Sequence, residues 1–129
     1  MSPVGLVSIV IFEETKRPHG NPHNVAMVYV VGPDSGGRVE VARKGIDSRF
    51  SAQEFLFTVM LVSRAVMSAV IQYNCAVSNE SRSNDLPNIQ KLRTCLLSGG
   101  SYRHPDVTKV QVAISIMEGI IRVCTDGVL

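Results

Sequence analysis

The sequence predicts an α+β fold in a single domain spanning residues 1–129: a three-stranded N-terminal sheet, two long apolar helices and one short helix. Three observations predict it. The first third contains β-branched apolar runs, residues 49–74 form a capped and almost wholly apolar stretch, and the polar residues near the end fall on one helical face. A chain of 129 residues is the usual length of one domain and can bury about two thirds of its unfolded surface.

The three strands are predicted from apolar runs and turn residues. Residues 4–12 and 25–31 are continuous apolar segments rich in valine and isoleucine. The sequence GPDSGG at 32–37 is dense in turn residues, and residues 38–44 then alternate between apolar and polar side chains. Strands two and three are therefore expected to form a hairpin.

The first long helix is predicted over residues 51–77. Ser51 can cap its start, and Glu54 can return a hydrogen bond to complete a capping box, with Phe50 and Phe55 placed for a hydrophobic staple. Arg64 interrupts the apolar run, so we interpret the segment as a helix of a soluble domain and expect no membrane partner. The polar residues of this helix fall in one arc of roughly 140° around its axis. The rest of the helix surface is apolar and is expected to be covered by other parts of the protein on two sides. The polar residues are Gln53, Glu54, Thr58, Arg64, Ser68 and Gln72.

The short helix is predicted near residues 88–98, capped by Asp85 and ended by Gly99-Gly100. The last element, residues 107–124, is rich in valine and isoleucine and alternates in part like a strand. Helical periodicity favours a helix, because its polar residues fall in an arc of roughly 80°; a hairpin turning at Glu118-Gly119 is the alternative. The polar set is Thr108, Gln111, Ser115, Glu118 and Arg122.

The two long helices share a narrow polar stripe and a wide apolar remainder, which a small sheet cannot cover. Large exposed apolar areas are unusual on soluble monomers, so a homodimer is expected. The residues predicted for a dimer or partner interface are Phe57, Met60, Met67, Ile71, Ile114, Met117 and Ile121.

The charge balance does not require a nucleic-acid partner. Thirteen basic residues face eleven acidic ones, for a formal net charge of +2. Weak basic clusters can nonetheless follow a phosphate backbone, and RNA is a further expected partner. The predicted nucleic-acid contacts are Arg38, Arg43, Lys44, Arg49, Arg82, Lys91 and Arg93.

No arrangement of residues indicates catalysis or a cofactor. Cys75, Cys95 and Cys124 form no CxxC pair and fall on apolar faces of predicted helices, so buried, reduced thiols are expected. His19 and His23 lie four apart in a loop that lacks an obvious full ligand set, so no metal is predicted.

One enzymatic alternative comes from the order of acidic residues. Three strands followed by a helix with Glu54 in its first turn resemble the ribonuclease H-like fold, with Glu13 or Glu14 and Asp85 as further acids. Such a set could hold two divalent cations, but the first strand contains no aspartate. The alternative is therefore a nucleic-acid-binding module or a degenerate nuclease.

The arrangement of a strand-rich first third, a capped apolar helix at 51–77, a short helix and a final apolar helix ending near Thr125-Asp126-Gly127 resembles the small core protein of the double-stranded RNA bacteriophages, the cystoviruses. The resemblance implies a viral protein of the inner core that acts as a non-enzymatic cofactor in procapsid assembly and RNA packaging. It implies polymerase and packaging-motor partners and a location in the virion inner core or the host cytoplasm. It assigns no functional residue.

Overall fold

The computed structural model describes residues 4–12, 25–33, 51–79, 87–95 and 103–126. These contain two strands, β1 (Val7–Ile11) and β2 (Ala26–Val30), and two helices, α1 (Ala52–Asn79) and α2 (Lys109–Asp126). The helices pack mainly on each other, and α1 also touches both strands. The described part of the chain is a small α+β domain.

The sheet is an antiparallel pair of β1 and β2, in a register that places Val7 opposite Val30 and Ile11 opposite Ala26. Backbone bonds from Gly5 N to Val31 O and from Phe12 N to Val25 O extend the pairing at both ends. Side chains alternate between half-buried and exposed along both strands, as a sheet with one covered face requires.

The predicted three-stranded sheet with three helices is wrong, because the residues that the structure describes form two strands and two helices. The second strand pairs with the first. The hairpin expected between strands two and three stays a prediction, because its third strand is not among the described residues. The segment predicted as the third strand, 38–44, lies outside the described residues.

The short helix predicted near 88–98 is absent from residues 88–95, which adopt no regular secondary structure. The side chains of α1 explain this. Asn74 Nδ2 donates to the Ile89 carbonyl at 2.9 Å, and the Ile89 amide donates back to Asn74 Oδ1 at 2.8 Å. In a helix that carbonyl would accept the amide of Arg93. The Tyr73 hydroxyl also donates to Pro87 O at 2.8 Å, which fixes the segment against α1.

The predicted start of α1 is confirmed, with Ser51 as the cap before the first helical residue, Ala52. The Glu54 amide donates to Ser51 Oγ at 3.1 Å, so one of the free amides of the first turn is satisfied. Between these two described residues no return bond from the Glu54 carboxylate forms, so the full capping box is not present. Phe50, the expected staple partner of Phe55, lies outside the described residues.

The last element is a helix, as its periodicity indicated, and the hairpin alternative is wrong. Its first turn contains a capping box that the sequence analysis missed. The Gln111 amide donates to Thr108 Oγ1 at 3.2 Å, and the Thr108 amide donates to Gln111 Oε1 at 2.9 Å. This reciprocal pair sets the start of α2 at Lys109.

The core lies between the two helices. Phe55 and Val59 of α1 pack with Val112 and Ile116 of α2, and with Val107 just before α2. Phe55, Val59 and Val112 are fully buried. Burial of a side chain of this size contributes about 1.5–3 kcal/mol, so this cluster is a main source of stability.

The helices approach closely at Gly119, which has no side chain to separate them. A Cβ atom at that position would lie 2.4 Å from the Met60 carbonyl oxygen and 2.9 Å from Ser63 Cβ. At the same contact the buried Ser63 hydroxyl donates to Ile116 O at 2.7 Å. The glycine therefore allows both the close contact and the hydrogen bond across it.

The length and composition of α1 would also suit a helix that crosses a membrane. Its buried side chains argue for a core helix instead, because Phe55 and Val59 pack in the cluster with α2 and Ser63 hydrogen-bonds to α2. We therefore describe α1 as the central helix of the domain.

Candidate nucleic-acid interface

Two of the predicted nucleic-acid contacts, Lys91 and Arg93, fall within the described residues, and both are exposed. They lie on the non-helical segment that α1 holds through Asn74 and Tyr73. Ile89, two residues before Lys91, is buried and fixes the segment to the rest of the domain. The basic side chains of Lys91 and Arg93 follow it and are exposed to solvent. The other five predicted contacts lie outside the described residues: Arg38, Arg43, Lys44, Arg49 and Arg82.

An open cavity of about 250 Å³ lies beside Arg93, between this segment, β2 and the two helices. The buried side chains in its wall come from the helices, whereas the exposed ones come from β2 and the 92–95 segment. We call this cavity the β2 groove. It is lined by Val28, Tyr29, Val30, Ser63, Val66, Met67, Leu92, Arg93, Thr94, Cys95, Ile116 and Ile120.

Tyr29 is a groove residue that the sequence analysis missed. Its side chain is 53% exposed, on the outer face of β2 beside the 43% exposed Met27. The alternation within residues 26–30 could have indicated an outward tyrosine. An exposed aromatic ring is a stacking surface for nucleic-acid bases, and an arginine is a cation that binds phosphate.

The acidic set of the nuclease alternative is not assembled in the described part of the chain. Glu54 is exposed on the first turn of α1, where its amide binds the Ser51 hydroxyl. Glu13, Glu14 and Asp85 lie outside the described residues, as do His19 and His23. Among the residues that the structure does describe, no three His, Cys, Asp or Glu side chains are grouped as metal ligands.

The three cysteines are free, as predicted, but all are exposed, so the predicted burial is wrong. Cys75 is exposed on α1, and Cys95 is exposed on the non-helical segment. Cys124 is exposed on α2. Periodicity found apolar faces but could not show which of them is turned inward.

The residues predicted for a partner interface are divided between surface and core. Met60 is buried at the contact with α2, and Met67 and Ile71 are half-buried. The other four are exposed by 55–61%: Phe57, Ile114, Met117 and Ile121.

Two curated proteins match this chain, and both have the name DNA/RNA-binding protein ALBA4. The protein from Plasmodium yoelii yoelii is 35% identical over 116 residues, and the one from Plasmodium falciparum is 34% identical over the same length. Each match covers 90% of this chain and 27% of the relative. The chain therefore spans about a quarter of the length of these relatives. No family model and no solved structure matches the chain.

These matches correct the resemblance to cystovirus core proteins, which is wrong. The similar proteins come from a cellular organism, Plasmodium, and are named for nucleic-acid binding. The predicted location in a virion inner core is wrong for the same reason, as is the description of the chain as a bacteriophage protein. Nothing in the matches supports a role in procapsid assembly or RNA packaging, or a polymerase or packaging-motor partner. The coarser expectation of a nucleic-acid-binding module agrees with the names of the relatives.

Proposed function

We propose that this chain is a nucleic-acid-binding domain that contacts single-stranded RNA or DNA at the β2 groove. The observation that carries the proposal is the match, over 90% of the chain, to two proteins named as DNA/RNA-binding. The proposed activity is binding without catalysis or a cofactor.

Exposed positive charges at and beside the groove support binding of phosphate groups. Lys91 and Arg93 are exposed, and neither forms an ion pair with another described residue. Arg122 on α2 differs, because its guanidinium lies 3.1 Å from a Glu118 carboxylate oxygen. Arg93, which lines the groove, and Lys91, two residues before it, are therefore available to bind phosphate and to release counterions on binding.

The groove also favours single strands over duplexes. Bases in a duplex are stacked on one another, whereas an unpaired base can stack on an aromatic side chain. Tyr29 lines the cavity and its side chain is 53% exposed, and Arg93 lines the same cavity. Stacking of one base on an aromatic residue contributes about 1–3 kcal/mol and is tolerant of sequence.

The test uses fluorescence anisotropy with a labelled single-stranded RNA and a hairpin duplex of the same composition. The double variant Lys91→Gln/Arg93→Gln should weaken single-strand binding about tenfold or more. The matched control, Lys109→Gln/Arg122→Gln, removes the same two charges from α2 and should change affinity by less than about threefold. Equal losses in both doubles would show that only net charge matters and would contradict the groove as the site.

Substitution of Tyr29 tests the stacking step separately. Tyr29→Ala should weaken binding of the single strand about five- to a hundredfold, and Tyr29→Phe should restore most of the affinity because the ring is kept. Binding of the duplex should respond much less. If the alanine variant binds the single strand as tightly as the wild type, the ring does not contact a base. RNA incubated with the protein and Mg²⁺ or Mn²⁺ should stay intact, and metal-dependent cleavage would favour the nuclease alternative.

A further inference from the structure

Thr94 is an exposed threonine on the non-helical segment that also carries Lys91 and Arg93. It belongs to a run of consecutive exposed residues, 91–95, that adopts no regular secondary structure. Its hydroxyl donates to the Cys95 carbonyl at 2.9 Å, and because this contact is exposed, water can replace it. The Thr94 hydroxyl is therefore accessible to an enzyme that modifies hydroxyl groups.

The other serines and threonines of the described segments are held differently. Most lie within strands or helices, where hydrogen bonds fix the backbone. Ser51 and Thr108 lie outside these elements, but each caps the start of a helix, because its hydroxyl oxygen accepts a bond from an amide of the first turn. A modifying enzyme must draw the residues around its acceptor into its own cleft, which fixed backbone resists. Among the serine and threonine hydroxyls in the described part of the chain, that of Thr94 is therefore the most suitable acceptor.

The charges that precede Thr94 fit a protein kinase that selects basic substrates. Lys91 lies three residues before Thr94 and Arg93 lies one before it, and the sequence contains no acidic residue from 86 to 105. Kinases choose substrates partly by charge, so basic residues at these places favour an enzyme whose cleft is acidic. Ile89 is buried and bonded to Asn74, so the domain can stay folded when residues 91–95 enter that cleft.

We propose that Thr94 is the phosphorylation site of a basic-directed serine/threonine kinase and that its phosphate prevents nucleic-acid binding at the β2 groove. The inference rests on the proposed function, because it concerns control of that same site. In the transfer, Thr94 Oγ1 forms a bond to the γ-phosphorus of ATP as the bond from that phosphorus to the β–γ bridging oxygen breaks. ADP leaves, and the hydroxyl proton passes to a carboxylate of the kinase.

The phosphate removes the positive charge that supports binding at the groove. Thr94 and Arg93 both line the groove, and adjacent Cα atoms are about 3.8 Å apart, well within the screening length of about 8 Å at physiological salt. A phosphothreonine carries about −1.5 to −2 charges at pH 7, and its oxygens pair with arginine. It therefore offsets most of the combined charge of Lys91 and Arg93 and repels the phosphates of a nucleic acid.

The experiment treats the full chain with a purified kinase of this class, Mg²⁺ and ATP, and locates phosphate by mass spectrometry. Affinity for the labelled single-stranded RNA is measured by anisotropy before and after treatment. Phosphate is expected at Thr94, and the affinity of the wild type should fall about tenfold or more. Thr94→Val is treated in parallel to account for phosphate at any other residue, and its affinities before and after treatment should agree within about twofold.

The outcomes separate this inference from the proposed function. Absence of phosphate at Thr94 would overturn the inference, and so would a modified wild type that binds RNA as tightly as before. An equal loss of affinity in Thr94→Val would overturn it as well, because the effect would then arise at another residue. In each of these results RNA binding by the untreated chain is retained, whereas an untreated chain that does not bind RNA would refute the proposed function itself.

A pair of charge variants gives a test that needs no kinase. Thr94→Glu and Gln111→Glu each add one negative charge at an exposed position, and Gln111→Glu keeps a capping box with Thr108. Thr94→Glu should weaken RNA binding about threefold or more, and Gln111→Glu should weaken it less than about 1.5-fold. Equal losses would show that only net charge matters and would contradict an effect of Thr94 at the groove.

Discussion

The closest contact between the helices gives the most quantitative prediction. Replacing Gly119 with alanine would put a Cβ atom 2.4 Å from Met60 O, 2.9 Å from Arg64 N and 2.9 Å from Ser63 Cβ. Two of these neighbours are backbone atoms of α1, so they cannot rotate away. The helices must separate, and the separation stretches the 2.7 Å hydrogen bond from Ser63 Oγ to Ile116 O.

The expected change in the free energy of unfolding combines one stabilising effect and two destabilising effects. Alanine is about 1 kcal/mol better than glycine inside a helix, so the substitution gains that amount. Overpacking a tight contact costs about 1–3 kcal/mol, and loss of the buried Ser63 hydrogen bond costs about 1–2 kcal/mol more. Gly119→Ala should therefore lower the free energy of unfolding by about 1–4 kcal/mol.

Urea unfolding followed by circular dichroism measures this change. Ser63→Ala is the control, because it removes the hydrogen bond without the clash and should cost only about 1–2 kcal/mol. A Gly119→Ala protein as stable as the wild type, or more stable, would show that helix propensity dominates and that the helices are not in close contact there.

Two further predictions concern the contacts that hold the segment after Pro87. Asn74→Ala leaves both backbone groups of Ile89 without their partner and should destabilise the domain by about 1–3 kcal/mol in urea unfolding; an unchanged midpoint would contradict the anchoring role. Burial raises the pKa of the Tyr73 phenol, so as pH rises past about 10 the unfolded chain loses its proton first and the free energy of unfolding falls. Tyr73→Phe should remove this contribution to the fall in the free energy of unfolding at alkaline pH. Unfolding measured from about pH 8 to 11 would show the difference between the two proteins. An identical fall in both would refute the assignment of this contribution to Tyr73.

Local signals predicted the two long helices well, because caps and periodicity depend on neighbours in the sequence. Ser51 marked the start of α1 correctly, and the sorting of polar residues in the last segment identified α2 as a helix. The sequence also contains the residues of the Thr108–Gln111 capping box, which the sequence analysis overlooked. These elements required no knowledge of tertiary contacts.

The errors arose where distant contacts decide the structure. The segment after Pro87 looks helical by composition, but its backbone is held by Asn74 and Tyr73 of α1. Cys124 lies on an apolar face, yet that face is turned outward. The order of strands and helices alone is shared by many unrelated proteins, which is why it suggested the wrong family.

The groove shows the same division between local and distant information. Lys91 and Arg93 could be selected from the sequence as basic residues, whereas the place of Arg93 in the lining of the β2 groove depends on how β2 and the helices pack. Charge balance was a poor guide to function, because a formal net charge of +2 says little about where the basic side chains lie.

The most direct test of nucleic-acid binding is the salt dependence of single-stranded RNA affinity, measured for the wild type and for Lys91→Gln/Arg93→Gln. Log affinity should fall linearly with log salt, and losing two phosphate contacts should reduce the slope by about 1.4. Absence of binding at low salt, or equal slopes for the two proteins, would contradict the assignment of these residues to the phosphate backbone.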